Sequence, residues 1–148
     1  MQDLAPGRRL GDRFVLVRRL AEGGGGEAWL AEDSALQRRV ALKVVPAGRI
    51  EGVAAERRLE MELERARSLP PGVAVEVLGF HRLGEHAVLA MQYLPGGDLG
   101  QFRGRPCAAF ARPLEDVARA LVAVHAAGLV HGDLKCGNVL LDAEGRAR

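Results

Sequence analysis

The chain has few cysteines and almost no net charge. Its two cysteines, Cys107 and Cys136, are too few for a disulfide framework or a set of metal ligands. A net charge of +2 over 148 residues gives no electrostatic reason to expect nucleic acid or an anionic membrane as a partner. Both classes of partner are therefore set aside.

Long apolar runs are also lacking. The longest, 117–130, is interrupted by Arg119, His125 and Gly128 and is too short to cross a bilayer. The first six residues contain no basic segment leading into an apolar one, so no secretory signal is visible. We therefore expect a cytoplasmic location. With 48% hydrophobic and 27% charged residues, the composition is that of a globular domain with a core.

The sequence does have a glycine-dense turn, 23–26, between two apolar segments, the first of which starts as a strand at Phe14. Glycine lets backbone N–H groups approach a phosphate closely because no Cβ stands in the way. Four glycines alone would favour a flexible linker, but a linker seldom lies between two strand-like segments of matched length. The pattern therefore indicates a phosphate-binding turn.

A lysine lies within the next predicted strand, 39–45, which ends before Pro46. By itself, Lys43 would be read as the solvent side of an alternating strand. Residues 53–68 are rich in Glu, Arg, Leu and Ala and predict a helix that ends before Pro70. One face of this helix is predicted to pack inward, since apolar residues recur there at spacings of three and four.

Two further strands are predicted over 73–80 and 85–91, with a turn at Leu83-Gly84 between them. They complete a predicted five-stranded meander with one helix inserted after the third strand. Pro113 then suits the first turn of a second helix, and Gly128 suits its end. The apolar stripe of this second helix consists of Leu114, Val117, Leu121 and Val124.

The loop 131–138 carries the most specific chemistry. Asp133, Lys135 and Asn138 gather a proton acceptor, a cation and an oxygen ligand in one short segment. Phosphoryl transfer needs a group that orients the attacking hydroxyl, a group that offsets phosphate charge and a group that holds Mg²⁺. A surface turn without function is the alternative for this loop taken alone.

This loop resembles the catalytic loop of protein kinases, H-R-D-L-x-x-x-N, at every fixed position except the arginine, which is Gly132 here. The glycine turn resembles the kinase pattern G-x-G-x-x-G-x-V, with Gly23 and Gly26 at its second and third glycines. Two residues depart from that pattern, Ala21 at the first glycine and Ala28 at the valine. The chain is therefore identified, by resemblance, as a member of the protein kinase superfamily of the bacterial serine/threonine type.

The resemblance implies an α+β, protein-kinase-like fold. Its N-terminal lobe would be a five-stranded antiparallel sheet with one helix, followed by the first helices and the catalytic loop of the C-terminal lobe. The implied divisions are a lead-in over 1–12, the N-lobe over 13–91, a hinge over 92–98 and a partial C-lobe over 99–148.

The implied activity is transfer of the γ-phosphoryl group of ATP to a protein Ser or Thr, with ATP and Mg²⁺ as cofactors. Asp133 would orient the substrate hydroxyl, Lys135 would stabilise the transferring phosphate and Asn138 would bind Mg²⁺. The segment Val40-Ala41-Leu42-Lys43 resembles V-A-I-K, so its lysine would grip the other phosphates. The implied nucleotide-binding residues are Ala21, Gly23, Gly26, Ala28, Ala41, Lys43, Glu62, Met91, Gln92, Leu94, Asp98 and Leu140.

The family also needs a helix glutamate that pairs with Lys43. We predict Glu62, which lies at the edge of the apolar face; Glu60 is the alternative. Lys135 favours protein kinases over related small-molecule kinases, which commonly carry His there. Gly132 removes the arginine that normally reads a phosphorylated activation loop.

No D-F-G or A-P-E motif occurs in the 148 residues, so the resemblance covers about half of a kinase domain. We therefore expect the isolated chain to be inactive and to self-associate through an uncovered apolar surface of its C-lobe part. Two alternatives remain, a nucleotide-binding or interaction module without catalysis and a truncated product without a function of its own. The sequence does not indicate the protein substrate.

Overall fold

The computed structural model describes residues 4–23, 26–46, 64 and 67–148. These residues form two compact units. The first, here called the sheet unit, comprises Met1–Arg65 and Val77–Tyr93. The second, here called the loop unit, comprises Ala66–Glu76 and Leu94–Arg148.

Six antiparallel strands make up the sheet unit over the residues described. Their order across the sheet is β1-β2-β3-β4-β6-β5. The strands are β1 Arg9–Leu10, β2 Phe14–Gly23, β3 Gly26–Asp33, β4 Arg38–Pro46, β5 Val77–Leu83 and β6 His86–Gln92.

This sheet corrects the predicted five-stranded meander in two ways. A short strand, β1, pairs with the start of β2 through Leu10 opposite Phe14, in the segment predicted to be only a lead-in. In addition, β6 rather than β5 pairs with β4, and β5 lies at the edge. The burial pattern gives the reason: β6 is mostly buried, whereas β5 is mostly half-buried and exposes Arg82, as suits an edge strand.

Alternation along the strands places one set of apolar side chains in a core on one face of the sheet. Phe14, Leu16 and Trp29 are its largest members, each no more than 3% exposed. Burial of one such side chain contributes roughly 1.5–3 kcal/mol to folding. The remaining members are Leu10, Ala31, Val40, Leu42, Val44, Val88 and Ala90.

An ion pair lies at the C-terminal end of β3. The carboxylate of Asp33 is fully buried and accepts two hydrogen bonds of 2.8 Å from the Arg13 guanidinium. One oxygen of the same carboxylate also accepts the backbone N–H groups of Ala35 and Leu36. The Arg13 contact, supported by these N–H groups, lowers the pKa of Asp33 although burial opposes its charge. This end of the β3–β4 turn is therefore held in one conformation.

The longest helix described in the loop unit, α1, spans Ala111–Ala126. Pro113 lies in its first turn and the left-handed Gly128 (φ 71°) follows its end, as predicted. The predicted stripe is covered unevenly: Val124 is buried, but Leu114 is 46% exposed. Short 3-10 turns occur at Leu99–Phe102, Cys107–Ala109 and Cys136–Asn138. The described part of the chain contains no helix that could cross a membrane.

Two predicted elements differ from the structure or lie outside it. The strand predicted from 73 begins at Val77, because Val73 donates its N–H to Pro70 in a turn instead of joining the sheet. The helix predicted over 53–68 lies mostly outside the described residues, where Glu64, Arg67 and Ser68 are helical.

Candidate active site

The glycine turn closes the β2–β3 hairpin. Gly23 and Gly26 are opposite each other in the register, and the two glycines between them lie outside the described residues. Gly26 has φ 115°, and a Cβ there would collide with the Val44 carbonyl oxygen and the Val45 side chain. Only glycine fits this position, because both the backbone angle and the space exclude a side chain.

Several predicted nucleotide-binding residues lie side by side on the sheet. Across the strands, Ala21 is opposite Ala28, and Ala28 is opposite Lys43. In the next row, Ala41 is opposite Met91. Alternation places Ala28, Ala41, Lys43 and Met91 on the face that does not carry the core described above. The register therefore brings these predicted residues to one surface of the sheet.

Lys43 presents an exposed side chain on that surface. No carboxylate of the described residues lies within ion-pair distance of it. The predicted partner, Glu62, and the alternative, Glu60, both lie outside the described residues. The pairing of Lys43 with Glu62 therefore stays a prediction.

The predicted hinge, 92–98, spans the boundary of the two units. Gln92 ends β6 opposite Val40, and Tyr93 accepts a hydrogen bond of 3.4 Å from Arg18 through its hydroxyl. Leu94, the first residue of the second stretch of the loop unit, is 7% exposed. Gln92 and Leu94 therefore belong to different units and are described separately.

Within the loop unit, the segment 96–99 runs along the segment 139–141. Asp98 and Leu140 form an antiparallel bridge, and the Leu141 N–H donates to the Gly97 carbonyl at 2.8 Å. The Asp98 carboxylate also caps the following 3-10 turn by accepting the Gly100 N–H at 2.6 Å. Two predicted nucleotide-binding residues, Asp98 and Leu140, are thus brought together, and their contact with a nucleotide stays a prediction.

The catalytic-loop candidates converge on one carboxylate. Lys135 Nζ donates to Asp133 Oδ2 at 2.8 Å, and the side-chain amide of Asn138 donates to the same oxygen at 2.9 Å. That amide also donates to the Asp133 backbone carbonyl at 2.7 Å. The structure therefore brings together the three residues that the sequence singled out.

Asp133 is fully open to solvent, yet its charge is stabilised. The hydrogen bond from Lys135, followed by that from Asn138, lowers the pKa of Asp133 below its ordinary value. The carboxylate is therefore ionised at neutral pH and can accept a hydrogen bond from a hydroxyl group. Gly132, which replaces the family arginine, has φ 74°, a backbone angle that glycine adopts without strain.

The loop leads directly into a hairpin over 140–148. Leu140 and Arg148 exchange backbone hydrogen bonds of 3.1 and 2.8 Å, and Asp142 organises the turn between them. The Asp142 carboxylate lies 3.1 Å from the Arg146 and Arg148 guanidinium groups and accepts the N–H groups of Glu144 and Arg146. Burial works against the Asp142 charge, but these contacts outweigh it and lower its pKa. The D-A-E-G spacing of an acidic residue before Gly145 was the available signal.

A second contact missed from the sequence ties this hairpin to α1. Asp116 on α1 accepts the backbone N–H of Ala147 at 3.2 Å, and Ala147 is 2% exposed. Ala147 joins Leu99, Val139 and Leu141 in a small core against which Phe102 and Val117 pack. The end of the catalytic loop is thus anchored to a helix through one carboxylate and a compact apolar cluster.

Comparisons with known proteins show which family the chain resembles. The family model described as "Protein kinase domain" matches residues 14–148. The chain is 35% identical over 146 residues to the serine/threonine-protein kinase pkn2 of Myxococcus xanthus, covering 93% of the chain and 17% of that protein. It is 36% identical over 156 residues to the serine/threonine-protein kinase PknA of Mycobacterium tuberculosis (strain ATCC 25618 / H37Rv), covering 96% of the chain and 35% of PknA.

A third relative is the DNA damage-responsive serine/threonine-protein kinase RqkA of Deinococcus radiodurans. Identity is 38% over 151 residues, covering 98% of the chain and 22% of that protein. The chain therefore spans about a third or less of the length of these relatives.

Proposed function

The chain belongs to the protein kinase family, and we propose that it carries the phosphotransfer chemistry of a serine/threonine protein kinase. In that reaction the γ-phosphoryl group of ATP passes to a serine or threonine hydroxyl of a protein. The names of its relatives, all serine/threonine-protein kinases, support this type of acceptor. The lysine at position 135 supports it too, since related small-molecule kinases commonly carry histidine there.

One observation carries the proposal. An ionised aspartate, a lysine and an asparagine meet within 2.8–2.9 Å on one exposed loop. Contacts between exposed charged groups contribute little to stability, so stability alone does not explain why two donors meet on a single carboxylate oxygen. Such a cluster is what the transfer of a phosphoryl group to a hydroxyl requires.

The surface of the sheet that carries Lys43 has features that support binding of a nucleoside triphosphate. Gly23 has open space at its Cβ position, so a phosphate can approach its backbone closely. Lys43 is exposed on β4, opposite Ala28 of β3, and supplies a positive charge. The small side chains of Ala28 and Ala41 flank the lysine and leave room on this face for a planar base.

The loop fits one part of a magnesium site. Asn138 uses its amide nitrogen for Asp133, which leaves its amide oxygen as a ligand for a hard cation. Within the described ranges, no group of three His, Cys, Asp or Glu side chains forms a metal site. Asn138 is therefore proposed to supply one ligand of a metal that the phosphates also bind.

The residues of the chain then have separate roles. Magnesium-bound ATP, when present, supplies the phosphoryl group and neutralises part of its charge. Asp133 accepts the hydrogen bond of the substrate hydroxyl and orients its oxygen. Lys135 holds that carboxylate through a hydrogen bond of 2.8 Å and is proposed to contact an oxygen of the transferring phosphate. Lys43 and the glycine turn hold the phosphates that are not transferred.

Catalysis is tested with a fusion in which residues 1–148 are joined to the part of the PknA kinase domain that follows the matched region. The fusion is expected to phosphorylate a generic serine/threonine substrate with Mg-ATP, and Asp133→Asn is expected to lower the rate by about 10²–10⁴-fold, as for loss of a general base. The matched control is Glu32→Gln, an exposed residue on β3. The 148-residue chain alone is expected to bind Mg-ATP without transfer.

Two results would contradict this proposal. A fusion in which Asp133→Asn keeps the full rate would remove the aspartate from the reaction. A well-folded fusion that binds Mg-ATP and never transfers phosphate would favour the alternative, a nucleotide-binding module without catalysis.

A further inference from the structure

The base of the glycine turn carries two opposed negative charges. Glu22 on β2 and Glu27 on β3 are directly opposite in the register, one position below the closing pair Gly23 and Gly26. Like charges at opposed positions destabilise a strand pair. The glycine-rich turn above them adds no side-chain contacts and loses much backbone entropy on ordering. The hairpin therefore needs another source of order at this point.

Arg19 lies between the two carboxylates. Its Nη1 atom is 2.7 Å from Glu22 Oε2 and 3.7 Å from Glu27 Oε2. One cation between carboxylates of both strands converts their repulsion into a link across the hairpin. The Arg19–Glu22 arm is exposed, at 52% and 64% of the two side chains, and contributes little on its own. The Glu27 side chain is only 29% exposed, so its contact with Arg19 is less screened by solvent, although the distance is longer.

Glu27 also reaches the core. The Trp29 indole N–H donates to Glu27 Oε2 at 3.0 Å, the same oxygen that faces Arg19. Trp29 is 3% exposed and belongs to the core of the sheet. A hydrogen bond to a charged acceptor is stronger than one between neutral groups. Glu27 therefore connects the residue next to Gly26 with a side chain that packing holds in place.

These contacts lie behind the proposed nucleotide surface. Glu27 and Trp29 alternate with Ala28 along β3, so they occupy the face opposite to Ala28 and Lys43. Neither Glu27 nor Trp29 belongs to the proposed nucleotide contacts. Any effect of Glu27 on nucleotide binding is therefore indirect, because Glu27 acts on the position of the turn and not on the nucleotide.

We infer that Glu27 is a positioning residue for the phosphate-binding turn, held from behind by Trp29 and Arg19. This inference rests on the proposed function, since it assumes that the turn contacts phosphate. Gly26 directly precedes Glu27, and its backbone is already confined by Val44 and Val45. With Glu27 held by Trp29 and Gly26 confined by its neighbours on β4, the β3 end of the turn is in place before the ligand arrives.

The test compares a ligand with phosphates and one without. Affinities of the 148-residue chain for Mg-ATP and for adenosine are measured by competition with a fluorescent nucleotide. Glu27→Ala is expected to weaken Mg-ATP binding by about three- to tenfold, as for loss of one hydrogen bond, and to change adenosine binding by less than about twofold. Glu27→Gln keeps an acceptor for Trp29, so its affinity for Mg-ATP is expected to lie between those of the wild type and Glu27→Ala. Glu32→Gln on the same strand is the matched control and is expected to leave both affinities unchanged.

Two further readouts separate positioning from general loss of structure. Trp29 is the only tryptophan, so its fluorescence reports directly on the contact with Glu27 and is expected to change in Glu27→Ala but not in Glu32→Gln. Arg19→Lys preserves the charge between the carboxylates and is expected to retain Mg-ATP affinity, whereas Arg19→Ala is expected to weaken it about twofold.

The outcomes distinguish this inference from the proposed function. A wild-type chain that binds neither ligand would overturn the proposed function and, with it, the inference. Wild-type binding with the same Mg-ATP affinity in Glu27→Ala would overturn the inference alone. Equal weakening of Mg-ATP and adenosine by Glu27→Ala would also overturn it, because the residue would then support the sheet as a whole rather than the turn.

Discussion

The sheet unit and the loop unit hold their candidate functional residues by different means. Ala28 and Lys43 lie on strands backed by ten core residues, each no more than 3% exposed. The loop 131–138 is exposed throughout, and polar contacts to Asp133 give it its shape. The buried core of the loop unit is smaller, with four residues that are 2–9% exposed. The nucleotide surface therefore depends on apolar packing, whereas the catalytic cluster depends on hydrogen bonds, and mutations should affect the two differently.

The largest effect is expected in the core of the sheet. Phe14 is completely buried, so Phe14→Ala removes a ring and leaves a cavity. The free energy of unfolding should fall by about 3–5 kcal/mol, measured by urea unfolding with Trp29 fluorescence as the probe. Val122 on α1 is 70% exposed, and Val122→Ala should change the same quantity by less than about 0.5 kcal/mol. Equal effects of the two substitutions would remove the contrast between the units.

A smaller effect is expected on the nucleotide surface. Lys43→Ala removes one charged donor from an exposed position and should leave the stability of the sheet nearly unchanged. We expect measurable but weak binding of Mg-ATP to the chain, and a further loss of about 1.5–3 kcal/mol in this variant. Calorimetric titration of both proteins measures the difference. The same affinity in both would count against the role proposed for Lys43.

Sequence patterns predicted the positions of the strands in the chain better than their order across the sheet. The strands over 14–23, 38–46 and 86–92 follow from apolar residues and bounding turns, and most of their extents were predicted. The pairing of β6 with β4 places a mostly buried strand inside the sheet. Because this depends on tertiary packing, no local sequence pattern predicts it. The strand β1 was missed although Gly11-Asp12 between Leu10 and Phe14 is a hairpin signal, because two residues are too few for a period.

The candidate site divides in the same way. Gly26 and the cluster around Asp133 could be named because spacing in the sequence reflects the chemistry directly. Asp116 and Glu27 could not, because their roles arise from contacts that folding creates, with Ala147 across 31 positions and with the Trp29 indole. The choice between Glu60 and Glu62 lies outside the described residues and stays a prediction.

Self-association should sharpen the comparison further. Leu114, Val122, Val130 and Leu134 of the loop unit are 46%, 70%, 84% and 49% exposed. Clusters of exposed apolar side chains promote association of soluble proteins. We expect light scattering of the 148-residue chain to show dimers or larger species as concentration rises. Val122→Lys should raise the monomer fraction, while Arg18→Lys on the sheet should not; a chain that is monomeric at all concentrations would contradict this expectation.

The smallest effect expected is a loss of sheet stability at mildly acidic pH, where the carboxylates of the loop unit stay ionised. His81 lies against Phe14, with ring centres 5.3 Å apart, and its buried Nε2 atom has no hydrogen-bond partner among the described residues. Burial, reinforced by the nearby Arg13 charge and opposed by Asp33, lowers the pKa of His81 below 6.5. Asp133 and Asp142 in the loop unit have lowered pKa values, so both stay ionised at mildly acidic pH.

The direction of the pH effect follows from which state binds the proton first. Below pH 6.5 the unfolded chain protonates His81 while the folded chain keeps it neutral, so the free energy of unfolding falls as pH drops toward the folded pKa. Urea unfolding at pH 7.5 and pH 5 should therefore show lower stability at the acidic value. His81→Phe should reduce that difference, since phenylalanine fills the site beside Phe14 without a titrating nitrogen. His125→Gln, an exposed substitution on α1, should keep the wild-type pH dependence. If His81→Phe and wild type lose stability in parallel, the buried imidazole is not the acid-sensitive group of the sheet.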